Sequence, residues 1–86
     1  MHKHEFFENG LKAVIFEAYL FPYGDTFTGE LYDNENLLFR TIKNKSFDEC
    51  KSVIMQFIDG QISDCMSKAN MLRTLNEKME NYNGQI

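Results

Sequence analysis

The stretch from Val14 to Ile42 constrains the fold most, because it can be written as three consecutive antiparallel strands. Its first part is rich in Val, Ile, Phe and Tyr, the residue types that favour strands. Pro22-Tyr23-Gly24-Asp25 predicts a turn, and the polar run Asp33-Asn34-Glu35-Asn36 predicts a hairpin turn. The segment therefore predicts a three-stranded β-meander with the strands Leu11–Phe21, Phe27–Tyr32 and Leu37–Lys43.

The register of these strands predicts two apolar faces. Closing the second hairpin around Asn34-Glu35 pairs Leu31 with Leu38, and closing the first pairs Leu20 with Phe27. The predicted core face then comprises Val14, Phe16, Ala18, Leu20, Phe27, Leu31, Leu38 and Ile42. The opposite face carries Ile15, Tyr19, Phe21, Tyr32, Leu37 and Phe39, with Glu17 and Glu30 among them. A sheet with one solvated face should alternate between apolar and polar residues, so the second face needs a cover.

Two helices are predicted after the strands. Ser46-Phe47-Asp48-Glu49 is a capping box, in which the Ser46 hydroxyl accepts from the Glu49 amide and the Glu49 carboxylate reaches the Ser46 amide. Gly60 is a plausible terminator of this helix. Ser63 can cap a second helix that reaches Tyr82, with Gly84 after its end. The apolar stripes are Phe47, Cys50, Ile54, Phe57 and Ile58 in the first helix, and Cys65, Met66, Ala69, Leu72, Leu75, Met79 and Tyr82 in the second.

The sequence thus predicts one α+β domain over residues 1–86, with a flexible N-terminus at 1–10 that ends in the turn signal Asn9-Gly10. Two alternatives stay open. One continuous helix from Phe47 to Asn81 would keep an unbroken apolar seam through Gly60. The first strand could instead be a helix, because its apolar residues also fit helical spacing.

Composition limits the function classes. The 86 residues carry a net charge of −4, which argues mildly against a phosphate-binding protein. The longest apolar stretch, Ala13 to Phe21, is far shorter than the roughly 20 residues of a membrane span. With no signal peptide in the sequence, we expect a cytoplasmic protein that does not enter the membrane.

The sequence shows no catalytic or metal-binding constellation. Its only histidines, His2 and His4, lie in the N-terminal segment, so neither is placed to activate a nucleophile. Cys50 and Cys65 lack metal-ligand spacing and lie on apolar helix stripes, which predicts buried thiols. We therefore expect a protein that is not an enzyme and that uses no metal or cofactor.

The predicted second face of the sheet is the candidate binding surface. Apolar patches of this kind mark interaction sites, so we expect another protein as partner, with Ile15, Tyr19, Phe21, Tyr32, Leu37, Phe39, Glu17 and Glu30 at the contact and an acidic hairpin tip, Asp33 and Glu35, beside it. A second copy is the simplest cover, so we also expect a homodimer.

By format alone, this small acidic α+β chain is similar to the inhibitors and adaptors encoded by phages and mobile elements, including anti-CRISPR and other anti-defence proteins. That resemblance implies a stoichiometric inhibitor or adaptor. Two alternatives remain. One is a nucleic-acid-binding or regulatory domain that uses the aromatic face or the basic run Arg40, Lys43, Lys45 and Lys51. The other is a structural homo-oligomer.

Overall fold

A computed structural model describes residues 3–64 and 69–82 of the chain, without the side chains of residues 63 and 64. One antiparallel sheet of four strands, in the order β1-β2-β3-β4, is followed by two helices. The α+β class is confirmed, and the predicted number of strands is corrected from three to four. The elements are β1 (Lys3–Glu8), β2 (Leu11–Leu20), β3 (Gly24–Asp33), β4 (Asn36–Asn44), α1 (Phe47–Asp64) and α2 (Ala69–Glu80).

The additional strand lies in the segment expected to be flexible. Lys3–Glu8 forms the edge strand β1, and Glu8 pairs with Leu11 around the two-residue turn Asn9-Gly10. Both turn residues have positive φ values, 45° and 86°, as a hairpin with a right-handed twist requires. Of the β1 side chains only Phe6 is buried, so the strand lacks the apolar alternation that reveals strands in a sequence.

The first predicted strand is a strand and not a helix, but its register is different. Leu20 pairs with Gly24 across a three-residue turn, so Phe27 lies opposite Glu17 and not opposite Leu20. The expected and observed registers differ by an odd number of residues, and such a shift moves every side chain of a strand to the other face. The face shared with Leu31 therefore carries Leu11, Ala13 and Ile15.

In the last strand, β4, the side chains beyond Leu37 also lie on the opposite face from the one predicted. The hairpin around Asn34-Glu35 forms as expected, with Asp33 opposite Asn36. A β-bulge then inserts Leu38, so that Leu31 lies opposite Phe39. One extra residue exchanges the faces beyond the bulge. Phe39 consequently packs on the helix side, where its ring stacks on Phe57 of α1 with centroids 4.5 Å apart.

Helix α1 begins where the capping box predicts. The Glu49 amide donates to the Ser46 hydroxyl at 3.1 Å, and the Cys50 amide donates to the Ser46 carbonyl at 3.1 Å. The Glu49 carboxylate accepts from the Lys45 amide and not from the Ser46 amide. The helix continues to Asp64, so the predicted stop at Gly60 is wrong and Ser63 lies inside α1 instead of capping α2.

The two helices form an antiparallel pair. The Asn76 side chain donates from Nδ2 to Asp59 Oδ1 at 2.8 Å, and Lys51 Nζ lies 3.5 Å from the Tyr82 carbonyl. In one continuous helix, Asp59 and Asn76 would be about 25 Å apart. The single-helix alternative is therefore wrong. The predicted helix residues Cys65 and Met66 and the end signal Gly84 lie outside the described residues.

Both helices cover the same face of the sheet. Helix α1 lies over β3 and β4, and α2 lies over β1 and β2. The helix layer comes very close to β3 at Gly29, where an added Cβ would lie 2.6 Å from both Cys50 Sγ and Ile54 Cδ1. The core between the layers consists of Phe6, Leu11, Ala13, Ile15, Leu31, Cys50, Ile54, Ile58, Leu72, Leu75 and Met79.

Candidate protein-binding surface

The hairpin between β2 and β3 extends beyond the described parts of the two strands beside it. Strand β1 pairs with β2 as far as Lys3 opposite Phe16, and β4 pairs with β3 as far as Asn44 opposite Phe27. Residues 17–26 therefore form a two-stranded ribbon that no other described strand flanks, and we call this ribbon the arm.

Three aromatic side chains are exposed on the arm. Tyr19 is 71% exposed, Phe21 is 81% exposed and Tyr23 is 59% exposed. Phe21 is the most exposed large apolar side chain among the described residues. Scattered exposed apolar residues are ordinary, but three aromatic rings within five positions on a projecting ribbon form a patch that is typical of an interaction site.

The conformation of the arm is fixed by local contacts. The Tyr23 amide donates to the Leu20 carbonyl at 2.6 Å and closes the turn, within which the Phe21–Pro22 peptide bond is cis. The Thr26 hydroxyl donates to the Ala18 carbonyl at 3.2 Å. These contacts hold the aromatic residues on a defined scaffold, which lowers the entropy lost when a partner binds.

Charges near the arm are mixed. Glu17 and Asp25 lie on the same face as Tyr19, because paired and alternate residues share a face. Lys43, at the end of β4, places its Nζ 4.6 Å from the centre of the Tyr23 ring, within the range of a cation–π contact. The arm thus combines aromatic rings with a few charges, the composition found at the centre and rim of protein interfaces.

The predicted binding residues do not form one surface. Ile15 is 0% exposed in the core, and Phe39 packs on α1, so placing these two on an outer face was wrong. Tyr19, Phe21 and Glu17 lie on the arm. Tyr32 and Glu30 lie on the open face, by which we mean the face of the sheet opposite the helices. Leu37, Asp33 and Glu35 lie at the far end of the sheet, around the β3–β4 turn.

The open face carries a polar network where the sequence predicts an apolar surface. Arg40 donates to Glu30 with Nη2–Oε2 and Nε–Oε2 distances of 2.7 and 2.9 Å, and the Tyr32 hydroxyl donates to Glu30 Oε1 at 2.8 Å. The hydrogen bond to Glu30 is the main cause that raises the pKa of Tyr32, and likewise that of Arg40. Because both pKa values are raised, Tyr32 keeps its proton and Arg40 its charge at neutral pH, and both can donate to Glu30 there.

Beside this network the open face has a shallow concave region of about 330 Å³ above Val14. Val14 is only 4% exposed although both described helices lie on the other face of the sheet. Its neighbours shield it, and the Lys12 ammonium lies 5.0 Å from the centre of the Tyr32 ring and 3.8 Å from Glu5. Lysine stems, aromatic rings and ion pairs together shield Val14 from solvent without a second layer over it.

The predicted basic run is dispersed in the fold. Arg40 is paired with Glu30 on the open face, and Lys43 covers Tyr23. Lys51 contacts Asp48 at 4.0 Å and the Tyr82 carbonyl. These three cations are committed to different neighbours, so with Lys45 they do not form the continuous basic surface that a nucleic-acid backbone requires.

The described residues show little reactive chemistry. No group of three His, Cys, Asp or Glu side chains within residues 3–64 and 69–82 is arranged to hold a metal ion. Burial, with a smaller effect of the Glu49 charge, raises the pKa of the Cys50 thiol to about 12. Since the thiolate is the nucleophile, Cys50 remains unreactive at neutral pH.

One arm residue, Tyr23, is missing from the predicted binding residues. The sequence places it in a turn, and turn residues contribute to no predicted face. The signal that could have revealed it is the spacing of Tyr19, Phe21 and Tyr23 around Pro22, since aromatic residues concentrated at a turn are exposed unless another element covers them.

Comparisons with known proteins add no relative: no family model, no curated protein and no solved structure matches this chain. Among the described residues, no helix is both long enough and apolar enough to cross a membrane.

Proposed function

We propose that this chain acts by binding another protein through its arm, and that it carries out no catalysis of its own. The observation that carries the proposal is the exposure of Tyr19, Phe21 and Tyr23 on a ribbon that projects from a well-packed body. Residues that supply most of the binding energy at interfaces are often aromatic and lie on preorganised surfaces. A binding protein of this format can serve as a stoichiometric inhibitor or adaptor.

The arm supports protein contact better than nucleic-acid binding. Aromatic residues could stack on unpaired bases, but single-stranded nucleic acids also require a basic groove along the backbone. The arm carries Glu17 and Asp25, and the Lys43 ammonium beside it already lies over the Tyr23 ring. The arm therefore offers aromatic rings for stacking, but it does not offer the row of cations that binds the phosphates of a nucleic acid.

Affinity purification from the native cell tests the proposal, with the tagged wild-type protein compared with the double variant Tyr19→Ser/Phe21→Ser. A hot-spot residue contributes about 2 kcal/mol or more to a complex, so we expect the double variant to lose the co-purifying protein. Its thermal unfolding midpoint should stay close to that of the wild type, because both side chains are exposed.

Phe7→Ser is the matched control. Phe7 is 57% exposed and lies beside the Asn9-Gly10 turn, at the opposite end of the sheet from the arm. The control should retain the partner. The proposal is wrong if the arm variant retains the same partner, or if the control loses it equally. A partner that is released by moderate salt and removed by nuclease would instead indicate nucleic acid.

A further inference from the structure

Strand β4 is an edge of the sheet, and no described strand lies beyond it. Residues of an antiparallel strand bond alternately to one neighbour and to the other. The Asn34 amide donates to the Gly10 carbonyl at 2.9 Å, which assigns the even-numbered residues of β3 to the bonds with β2 and the odd-numbered ones to the bonds with β4. Thr41 therefore bonds to β3, whereas Arg40 and Ile42 direct their N–H and C=O groups away from the sheet.

The same edge exposes aliphatic side chains. Three of them, 46%, 44% and 49% exposed, are Leu37, Leu38 and Ile42. The two cations of β4 are engaged within the chain, since Arg40 binds Glu30 and Lys43 lies over the Tyr23 ring. Lysines on an edge strand usually discourage pairing with another chain, but neither cation of β4 is free to do so.

The opposite edge of the sheet, β1, is protected. Lys78 Nζ of α2 lies 2.8 Å from the Phe7 carbonyl on this edge. Lysines and covering side chains are the usual protection of an edge strand. Of the two outer strands, β4 is therefore the one at which a further strand can be added.

We propose that β4 pairs with β4 of a second copy of this chain about a two-fold axis, so that the two sheets join into one antiparallel sheet of eight strands. The inference is independent of the proposed function, because the arm takes no part in this contact. A second copy suits the edge better than an isolated peptide strand, since it also brings its own α1 to the junction.

The position of α1 allows the two helix layers to meet. Helix α1 lies over β3 and β4. Neighbouring strands are about 4.8 Å apart, so the α1 axes of two joined copies would be about 10 Å apart, close to the usual distance between packed helices. Because α2 contacts Met55 and Asp59 on one flank of α1, the other flank, with the partly buried Val53 and Phe57, is directed toward the second copy.

The regular part of the edge determines the register. The β-bulge and the positive φ of Lys43 confine regular pairing to Phe39–Ile42. Arg40 and Ile42 are the outward-directed residues of this segment, and outward-directed residues lie opposite each other in a hydrogen-bonded pair. Only the register with Arg40 opposite Ile42 of the second copy bonds both residues in both copies. It places Thr41 on the axis, opposite Thr41 of the second copy.

This register is chemically compatible with itself. Cross-strand threonine pairs stabilise antiparallel strands, and Ile42 packs on the aliphatic stem of Arg40 from the other copy. Each Arg40 stays bound to its own Glu30, with 2.7 Å between Nη2 and Oε2, so the junction brings together ion pairs and not isolated like charges. One strand and one helix flank per copy offer fewer than the roughly 20–30 residues a side of a standard interface. We therefore expect a weak, concentration-dependent dimer.

Sedimentation equilibrium tests the dimer and its surface. The wild type should change from 10.1 kDa toward twice that mass as its concentration rises from micromolar to millimolar. Ile42→Lys places an ammonium beside Arg40 of the second copy at two positions of the dimer, so the dissociation constant should rise about tenfold or more. The matched control, Phe7→Lys on β1, should dimerise like the wild type. A wild type that is monomeric at millimolar concentration, or an Ile42→Lys variant no weaker than the control, would overturn the inference.

A cysteine at the axis tests the register. Residues of a non-hydrogen-bonded pair have Cα atoms about 4.5 Å apart, within the range of about 4.4–6.8 Å that a disulfide spans. Oxidised Thr41→Cys should therefore form a covalent dimer, and peptide mapping should show the link between the two positions 41. Leu37→Cys, exposed on the same strand but away from the axis, should not be linked to itself. Equal linking of both variants, or none in Thr41→Cys where the wild type is dimeric, would refute this pairing.

The dimer and the proposed function can fail independently. Tyr19→Ser/Phe21→Ser should dimerise like the wild type, and Ile42→Lys should retain the partner of the arm. A monomeric wild type whose partner is lost only in the arm variant refutes the dimer and leaves the proposed function intact. Loss of the dimer in the arm variant would contradict the β4 surface.

Discussion

Gly29→Ala tests how closely helix α1 approaches the sheet. The added Cβ would lie 2.6 Å from Cys50 Sγ and 2.6 Å from Ile54 Cδ1, and Cys50 and Ile54 are fully buried. Overpacking of this kind typically costs about 1–3 kcal/mol, partly offset by the lower flexibility of alanine in the unfolded chain. The total stability expected for 86 residues is about 4–13 kcal/mol, so the loss should be easily measured.

Urea unfolding followed by circular dichroism measures the effect and allows a double-mutant cycle. Ile54→Val removes the Cδ1 methyl and should alone cost about 0.5–1.5 kcal/mol. In the Gly29→Ala background the same change relieves the clash, so the two effects should be coupled by about 0.5–3 kcal/mol. Additive effects would refute the contact between β3 and α1.

Gly60→Ala is the matched control, because the same methyl group meets nothing within 4 Å at that position of α1. Alanine is the better helix former by about 1 kcal/mol, so this variant should be more stable than the wild type. The two alanine substitutions therefore have opposite expected signs. A Gly29→Ala variant as stable as Gly60→Ala would show that the helix layer lies further from the sheet.

Three further predictions concern the cap, the register and the buried thiol. Ser46→Ala should lower the free energy of unfolding by about 1 kcal/mol, measured in the same urea assay, because the Glu49 amide loses its partner. Ile15→Ala should cost about 2–5 kcal/mol, and Phe16→Ala on the open face should cost less; the reverse order would restore the register expected from sequence. The raised pKa of Cys50, about 12 against 9.0, means that the unfolded chain loses this proton first as pH rises. Stability should therefore fall from about pH 9 upward, and less steeply in Cys50→Ala.

Local signals in the sequence predicted much of this fold. The cap at Ser46 starts α1, and the Asn34-Glu35 turn closes the last hairpin, because both depend on residues within a few positions of each other. The β1 strand was missed for the opposite reason. Its side chains are mostly polar and its burial depends on α2, which contacts it from more than 60 residues away through Lys78 and Glu8.

Which residues lie on each face of the sheet depends on turn length and on a bulge, and neither can be recognised in the sequence. The pattern placed Leu31 of β3 correctly, but β2 and β4 were both assigned to the wrong face. A three-residue turn before Gly24 caused the first error, and one inserted residue, Leu38, caused the second. The first error shifts the register by three residues and the second by one, and because both numbers are odd, each exchanges the faces of the side chains in the shifted part of the strand.

Position along a strand, and not the face alone, determines which residues are available for binding. Ile15 and Tyr19 point to the same side of β2, yet Ile15 is fully buried and Tyr19 is 71% exposed. Four residues correspond to about 13 Å along a strand, which carries Tyr19 past the end of β1. The apolar residues that suggested a second face therefore divide between the core and the arm. Tyr19 and Phe21, two of the residues from which the sequence predicted a binding surface, are therefore exposed together at one end of the sheet.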